Sequence, residues 1–135
     1  MATRSRKGYD FADITYEIIG ACLRVHRELG PGFRELIYQR ALELEFQAAG
    51  LEFVREEWIP VHYRGREIGK HRVDFIVAEV MVEVKAASEL APEHYVQTVS
   101  YLKASGYKLA LLVNFGREKL DVHRLLWDGS LKQDI

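Results

Sequence analysis

The chain has 135 residues, 48% of them hydrophobic and 29% charged, the composition of one soluble globular domain able to bury a single core. Its net charge of −1 excludes a global electrostatic attraction to nucleic acid, and its longest apolar run, around Leu109 to Val113, is far short of the ~20 residues of a membrane span. A lone cysteine, Cys22, excludes an internal disulfide and suits a reducing cytoplasm, where we expect the protein to reside.

Residues 1–9 begin Met-Ala-Thr-Arg-Ser-Arg-Lys, basic but without a following apolar stretch of signal type, and read as a flexible tail ahead of a single domain over 10–135. From Asp10, the apolar positions Phe11, Ile14, Ile18, Cys22 and Val25 recur at helical spacing, and Gly30-Pro31-Gly32 ends the helix. A second helix is expected from Phe33 to Ala49, with Phe33, Leu36, Ile37, Ala41 and Leu44 facing inward and Gly50 as its stop. Glu35 and Tyr38 lie three residues apart near its start, on one face. Taken alone, the acid is better explained by the helix dipole, and it gains a ligand reading only because Asp74 and Glu83 call for a third oxygen.

Extended sequence follows over Phe53 to Tyr63, with Arg64-Gly65 as a turn, then Glu67 to Val77 and Val80 to Ala86. Residues 62–72 carry His62, Arg64, Arg66, Lys70, His71 and Arg72 against a single acid, Glu67. This is either a solvated hairpin tip or a phosphate-contacting patch, in which Arg64, Arg66, Lys70 and Arg72 are the candidate nucleic-acid contacts. Pro92 suits the first turn of a helix running to Ser105 and stopped by Gly106, on which His94, Gln97 and Tyr101 share a polar face. Tyr107 to Val113 is a nearly continuous apolar strand, expected to be buried on both faces. Asn114-Phe115-Gly116 turns the chain into a last strand over Leu120 to Trp127. The order α-α-β-β-β-α-β-β describes an α/β domain around a mixed sheet, with strand–helix–strand over 80–113 as a right-handed crossover.

The segment Arg72 to Lys85 carries the chemistry. Side chains alternate along a strand, so Glu83 and Lys85 share one face and Val82 and Val84 the other. If residues 78–79 form a two-residue turn, Asp74 lies directly across from Glu83. Ala78-Glu79 is poor chemistry for such a turn. A four-residue loop over 77–80 keeps the same pairing, whereas a three-residue loop turns Asp74 away. Two opposed carboxylates repel by about 4 kcal/mol at ~4 Å and an effective dielectric of ~20. A divalent cation between them converts repulsion into attraction, with Lys85 alongside. A lysine among apolar neighbours is rare unless paired, so Lys85 is either salt-bridged to these acids or placed to polarise an attacking water. The five histidines have no close-spaced Cys/His partners of zinc-site type.

With these residues in view, the chain resembles the GxxExxY protein family, a branch of the PD-(D/E)XK nuclease-like superfamily. Val25 to Tyr38, containing Gly32, Glu35 and Tyr38, is similar to the naming motif. Val73-Asp74-Phe75-Ile76-Val77 and Val82-Glu83-Val84-Lys85-Ala86 look like the two core motifs, and Gln97 to Leu102 like the Q-x-x-x-Y element of RecB-like exonucleases. The resemblance implies a restriction-endonuclease-like αβββαβ core, a mixed sheet flanked by helices. It implies Mg²⁺ or Mn²⁺ held by Asp74, Glu83 and Glu35, catalysis by Asp74, Glu83, Lys85 and Gln97, and support from Tyr38 and Tyr101. The expected activity is metal-dependent hydrolysis of phosphodiesters in nucleic acid, DNA rather than RNA. The alternative is an inactive nuclease-fold module that binds nucleic acid or a protein partner, itself included as a homo-oligomer.

Overall fold

A computed structural model describes residues 11–129, so the expected tail at 1–9 lies outside the described residues. Eight elements follow in the predicted order: α1 (Phe11–Leu29), α2 (Glu35–Ala48), β1 (Phe53–Tyr63), β2 (Arg66–Val77), β3 (Val80–Lys85), α3 (Pro92–Ser105), β4 (Leu109–Asn114) and β5 (Asp121–Leu126). The strands form one sheet in the order β1-β2-β3-β4-β5. All neighbours are antiparallel except β3 and β4, which the α3 crossover makes parallel. Every residue of β4 is buried, as its unbroken apolar run requires of a strand covered on both faces.

Two cores lie on opposite sides of the sheet. On one side Ile14, Ile18, Cys22 and Val25 of α1 and Tyr38, Leu42 and Phe46 of α2 pack on Phe75, Val77, Val82, Val84, Leu111 and Val113. On the other, Leu102 of α3 packs on Ile59, Val73, Ile76, Met81 and Ala110. Cys22 is part of the first core, and burial pushes its thiol up to about 12, which leaves it an inert apolar filler.

The second helix departs from expectation. It begins at Glu35 rather than Phe33, and its buried face is Tyr38, Leu42 and Phe46. Phe33 and Leu44, expected to face inward, are exposed. The large rings of Tyr38 and Phe46 outweigh the apolar stripe around them. Phe46 contacts Phe53 and Phe75 at centroid distances of 5.6 and 5.2 Å, and Tyr38 stacks on Phe115 at 4.7 Å. Among the described residues, no helix is long and apolar enough to cross a membrane.

Candidate active site

The site begins with the turn between β2 and β3. Val77 pairs with Val80, Ile76 with Met81 and Phe75 with Val82, so the turn has two residues, Ala78 and Glu79. Both take positive φ, 47° and 73°, the left-handed conformation a primed turn demands and side chains disfavour. The Ala78 amide is held by the Glu52 carbonyl at 3.0 Å. This register sets Asp74 opposite Glu83.

The β2–β3 ladder ends after Phe75 and Val82, and the two carboxylates take over from it. The Asp74 amide donates to Glu83 Oε1 at 3.0 Å, and the Val84 amide donates to Asp74 Oδ2 at 2.7 Å. Each acid thus accepts from the other's strand. The β1 side is kinked at the same level: Glu56 has φ 62°, and the register passes from Arg55 opposite Phe75 to Glu57 opposite Val73. Phe75 packs under the first two helices, yet Val73, two residues away, packs under α3. The strand therefore turns about Asp74, placing the carboxylate in the gap between strands rather than flat on either face.

The second oxygen of each acid is met by a side chain. Gln39 Nε2 donates to Asp74 Oδ1 at 3.2 Å. Gln39 Oε1 accepts from Arg55 Nη2 at 3.2 Å, and Arg55 Nη1 donates to Glu43 at 2.9 Å. A guanidinium only donates, so Arg55 forces the Gln39 amide to present its NH₂ to Asp74. His71 Nε2 lies 3.4 Å from Glu83 Oε2, and its ring stacks on Tyr101 at 3.6 Å and 12°. Burial and the neighbouring Glu83 charge push the Asp74 carboxyl up to about 7, Glu35 adding to the effect while the Val84 amide and Lys85 oppose it. Tyr101 is raised by burial and by the Glu83 charge.

Lys85 is half-buried two residues beyond Glu83, and among the described residues no carboxylate lies within ion-pair distance of it. The expected alternative, a salt bridge to Asp74 or Glu83, is not formed. Its backbone is clamped instead. The Phe115 amide donates to the Lys85 carbonyl at 2.8 Å. The buried Asn114 side chain accepts from the Ala87 amide and donates to the Ala87 carbonyl, both at 2.9 Å. A Cβ at Gly116 would collide with the backbone of Ala86 and Ala87, so only glycine closes this clamp.

The other predicted residues divide. Glu35 is exposed at the first position of α2, in an open groove with Arg34, Gln39, Glu56 and Arg72. It is near enough to raise the Asp74 carboxyl, but among the described residues no three Asp, Glu, His or Cys side chains cluster as a ready-made metal cage. The structure brings Asp74 and Glu83 together and sets Glu35 in the groove beside Gln39, the residue that donates to Asp74. Tyr38 is fully buried. Its hydroxyl donates to the Gly30 carbonyl at 2.5 Å and accepts from the Phe33 amide at 3.2 Å, so it secures the loop before Glu35 and does not touch the acids. Gln97 is exposed on α3, one turn before Tyr101. His94 caps its own helix, accepting from the Ala91 amide at 3.0 Å. Arg64 and Arg66 sit at the hairpin tip, whereas Lys70 and Arg72 lie nearer the acids.

Sequence reasoning missed Gln39 and Arg55 and placed His71 only in the basic cluster. The signal for His71 was strand parity, since it shares a face with Val73 and opposes that of Lys70 and Arg72. For Gln39 it was its place one turn after Glu35 on the same helix face.

A family model described as the PD-(D/E)XK nuclease superfamily matches residues 12–125 of this chain. No curated protein and no solved structure gives a significant match.

Proposed function

Because the chain belongs to the PD-(D/E)XK nuclease superfamily, whose members generally use divalent metal ions, we propose that it is a metal-dependent nuclease hydrolysing phosphodiester bonds in DNA. The carrying observation is the Asp74–Glu83 pair in the gap between β2 and β3, with the half-buried Lys85 two residues on along the Glu83 strand and in no ion pair among the described residues. The donor set fits Mg²⁺ or Mn²⁺. These ions take hard oxygen ligands, use one or two protein carboxylates and keep several waters. Asp74 and Glu83 each commit one oxygen to backbone and leave the other to a displaceable side chain. The proton that the crowded Asp74 holds up to about 7 marks the negative charge a cation would offset.

In this reading Asp74 and Glu83 hold the ion, with Glu35 as a further oxygen from the groove side. The ion, when bound, neutralises the scissile phosphate and lowers the pKa of a water. Lys85 orients the attacking water and stabilises the charge that develops on phosphate. Tyr101 keeps His71 stacked against Glu83, and Gln97, exposed a turn earlier on α3, reaches the substrate side. Arg64, Arg66, Lys70 and Arg72 contact phosphates outside the reacting one. Incubation with linear or single-stranded DNA and Mg²⁺ or Mn²⁺ should give cleavage that falls at least about a hundredfold in Asp74→Ala and in Lys85→Ala. No cleavage, or cleavage indifferent to both substitutions, overturns the reading.

A second reading is favoured by one feature: both carboxylates are fully hydrogen-bonded by protein groups, which also suits a nuclease scaffold that binds nucleic acid or a protein partner without cutting. Such a scaffold would bind DNA equally with and without divalent metal.

A further inference from the structure

Trp58 stands on β1 directly opposite Arg72, and its side chain is 52% exposed. Lys70 Nζ lies 5.0 Å and Arg72 Cζ 5.6 Å from the centre of its ring. Lys70 and Arg72, two apart on one strand, share the face on which the indole lies. A cation–π contact on its own explains why the cations approach the ring, but an indole this exposed keeps an open face. Arg72 also lines the groove that holds Glu35 and Gln39, and Gln39 donates to Asp74. At ~3.3 Å per strand residue, Arg72 is about 7 Å along the chain from Asp74. Ring, cations and groove therefore form one path that ends at the acid pair. The hairpin from 62 to 72 carries its cations against a single acid, Glu67. Arg72 Nη1 also lies 3.8 Å from Glu56 Oε1, an exposed pair that an incoming phosphate can displace, and Glu35 and Glu56 line the groove, so the cations are concentrated at the ring end of the path.

We propose that Trp58, Lys70 and Arg72 form a docking shelf for an unpaired nucleotide of a single-stranded nucleic acid, its base stacked on the indole and its phosphate on the two cations. The proposal rests on the nuclease reading for the direction of the path. It selects single strands because a duplex keeps its base faces stacked on each other and can offer the shelf only phosphates. An acidic peptide would meet the cations but leave the ring without a planar partner.

Trp127→Phe leaves Trp58 as the sole indole, and Asp74→Asn with chelator present separates binding from hydrolysis. In that protein a single-stranded dodecamer should quench Trp58 emission, and a duplex of equal length or polyglutamate should not. Adding Trp58→Ala should weaken binding of the labelled single strand about tenfold, and Trp58→Tyr should keep it within about threefold, as one lost or retained stack implies. Unchanged affinity in Trp58→Ala, or equal quenching by duplex or by polyglutamate, overturns the shelf. Failure of the shelf leaves cleavage by the wild-type protein intact, and failure of cleavage leaves the binding result intact, so the two ideas fall separately.

Discussion

Asp74 is the residue on which most of the site's forces converge. Its amide, both carboxylate oxygens and its charge are all engaged, with Glu83, Val84 and Gln39 as direct partners. Burial and Glu83 raise its carboxyl from 3.8 to about 7, which fixes a sign for pH dependence. Below the lower value both folded and unfolded chains carry the proton. Between the two, the folded protein keeps a proton the unfolded chain has released, so this residue's contribution is fully present below about 4 and is lost as pH rises to about 7. Melting temperatures of the wild type and Asp74→Asn, measured in chelator from pH 4 to 8, should therefore diverge in the variant's favour as pH rises. Converted to unfolding free energy, the change in their difference should be of order 1–3 kcal/mol. Parallel profiles across that range contradict the placement of Asp74.

Among the elements, the β2–β3 hairpin decides whether there is a site at all, because a one-residue slip would carry Asp74 away from Glu83. Its turn uses Ala78 and Glu79 at positive φ, where an Asn-Gly pair would sit without strain. Replacing them with Asn and Gly should stabilise the protein by about 1 kcal/mol, several degrees in melting temperature, with the acids left in place. A destabilised double variant would show that the turn is held by something other than its register. Clamping by Asn114 and Gly116 does for Lys85 what the turn does for the acids: Asn114 fills the hydrogen bonds of Ala87, and Gly116 leaves room for that backbone to approach. The sequence marked this segment only as a turn, because a contact between residues almost thirty positions apart leaves no local periodicity. The same limit explains α2. Its apolar residues offered several stripes, and only the sheet beneath, through Phe53 and Phe75, selected the one containing Phe46.

At the scale of the whole molecule, the order of elements, the mixed sheet and the opposition of Asp74 and Glu83 were legible in the sequence. Each depends on local signals: glycine stops, alternation, an unbroken apolar β4 and a short turn. The Arg55–Gln39–Asp74 chain was not legible, because it joins β1, α2 and β2 through long side chains whose meeting is set by tertiary packing. The two cores place α1 and α2 on one side and α3 on the other, so the groove beside α2 and the His71–Tyr101 stack beneath α3 reach the same two acids from opposite faces. A nuclease of this kind requires that the gap in the sheet capture a hard dication. Titration of the protein with Mn²⁺ at pH 7.5, followed by calorimetry, addresses it directly. One ion should bind per chain, with binding lost in Asp74→Ala and preserved in Lys85→Ala; no uptake, or uptake unaffected by Asp74→Ala, contradicts the account.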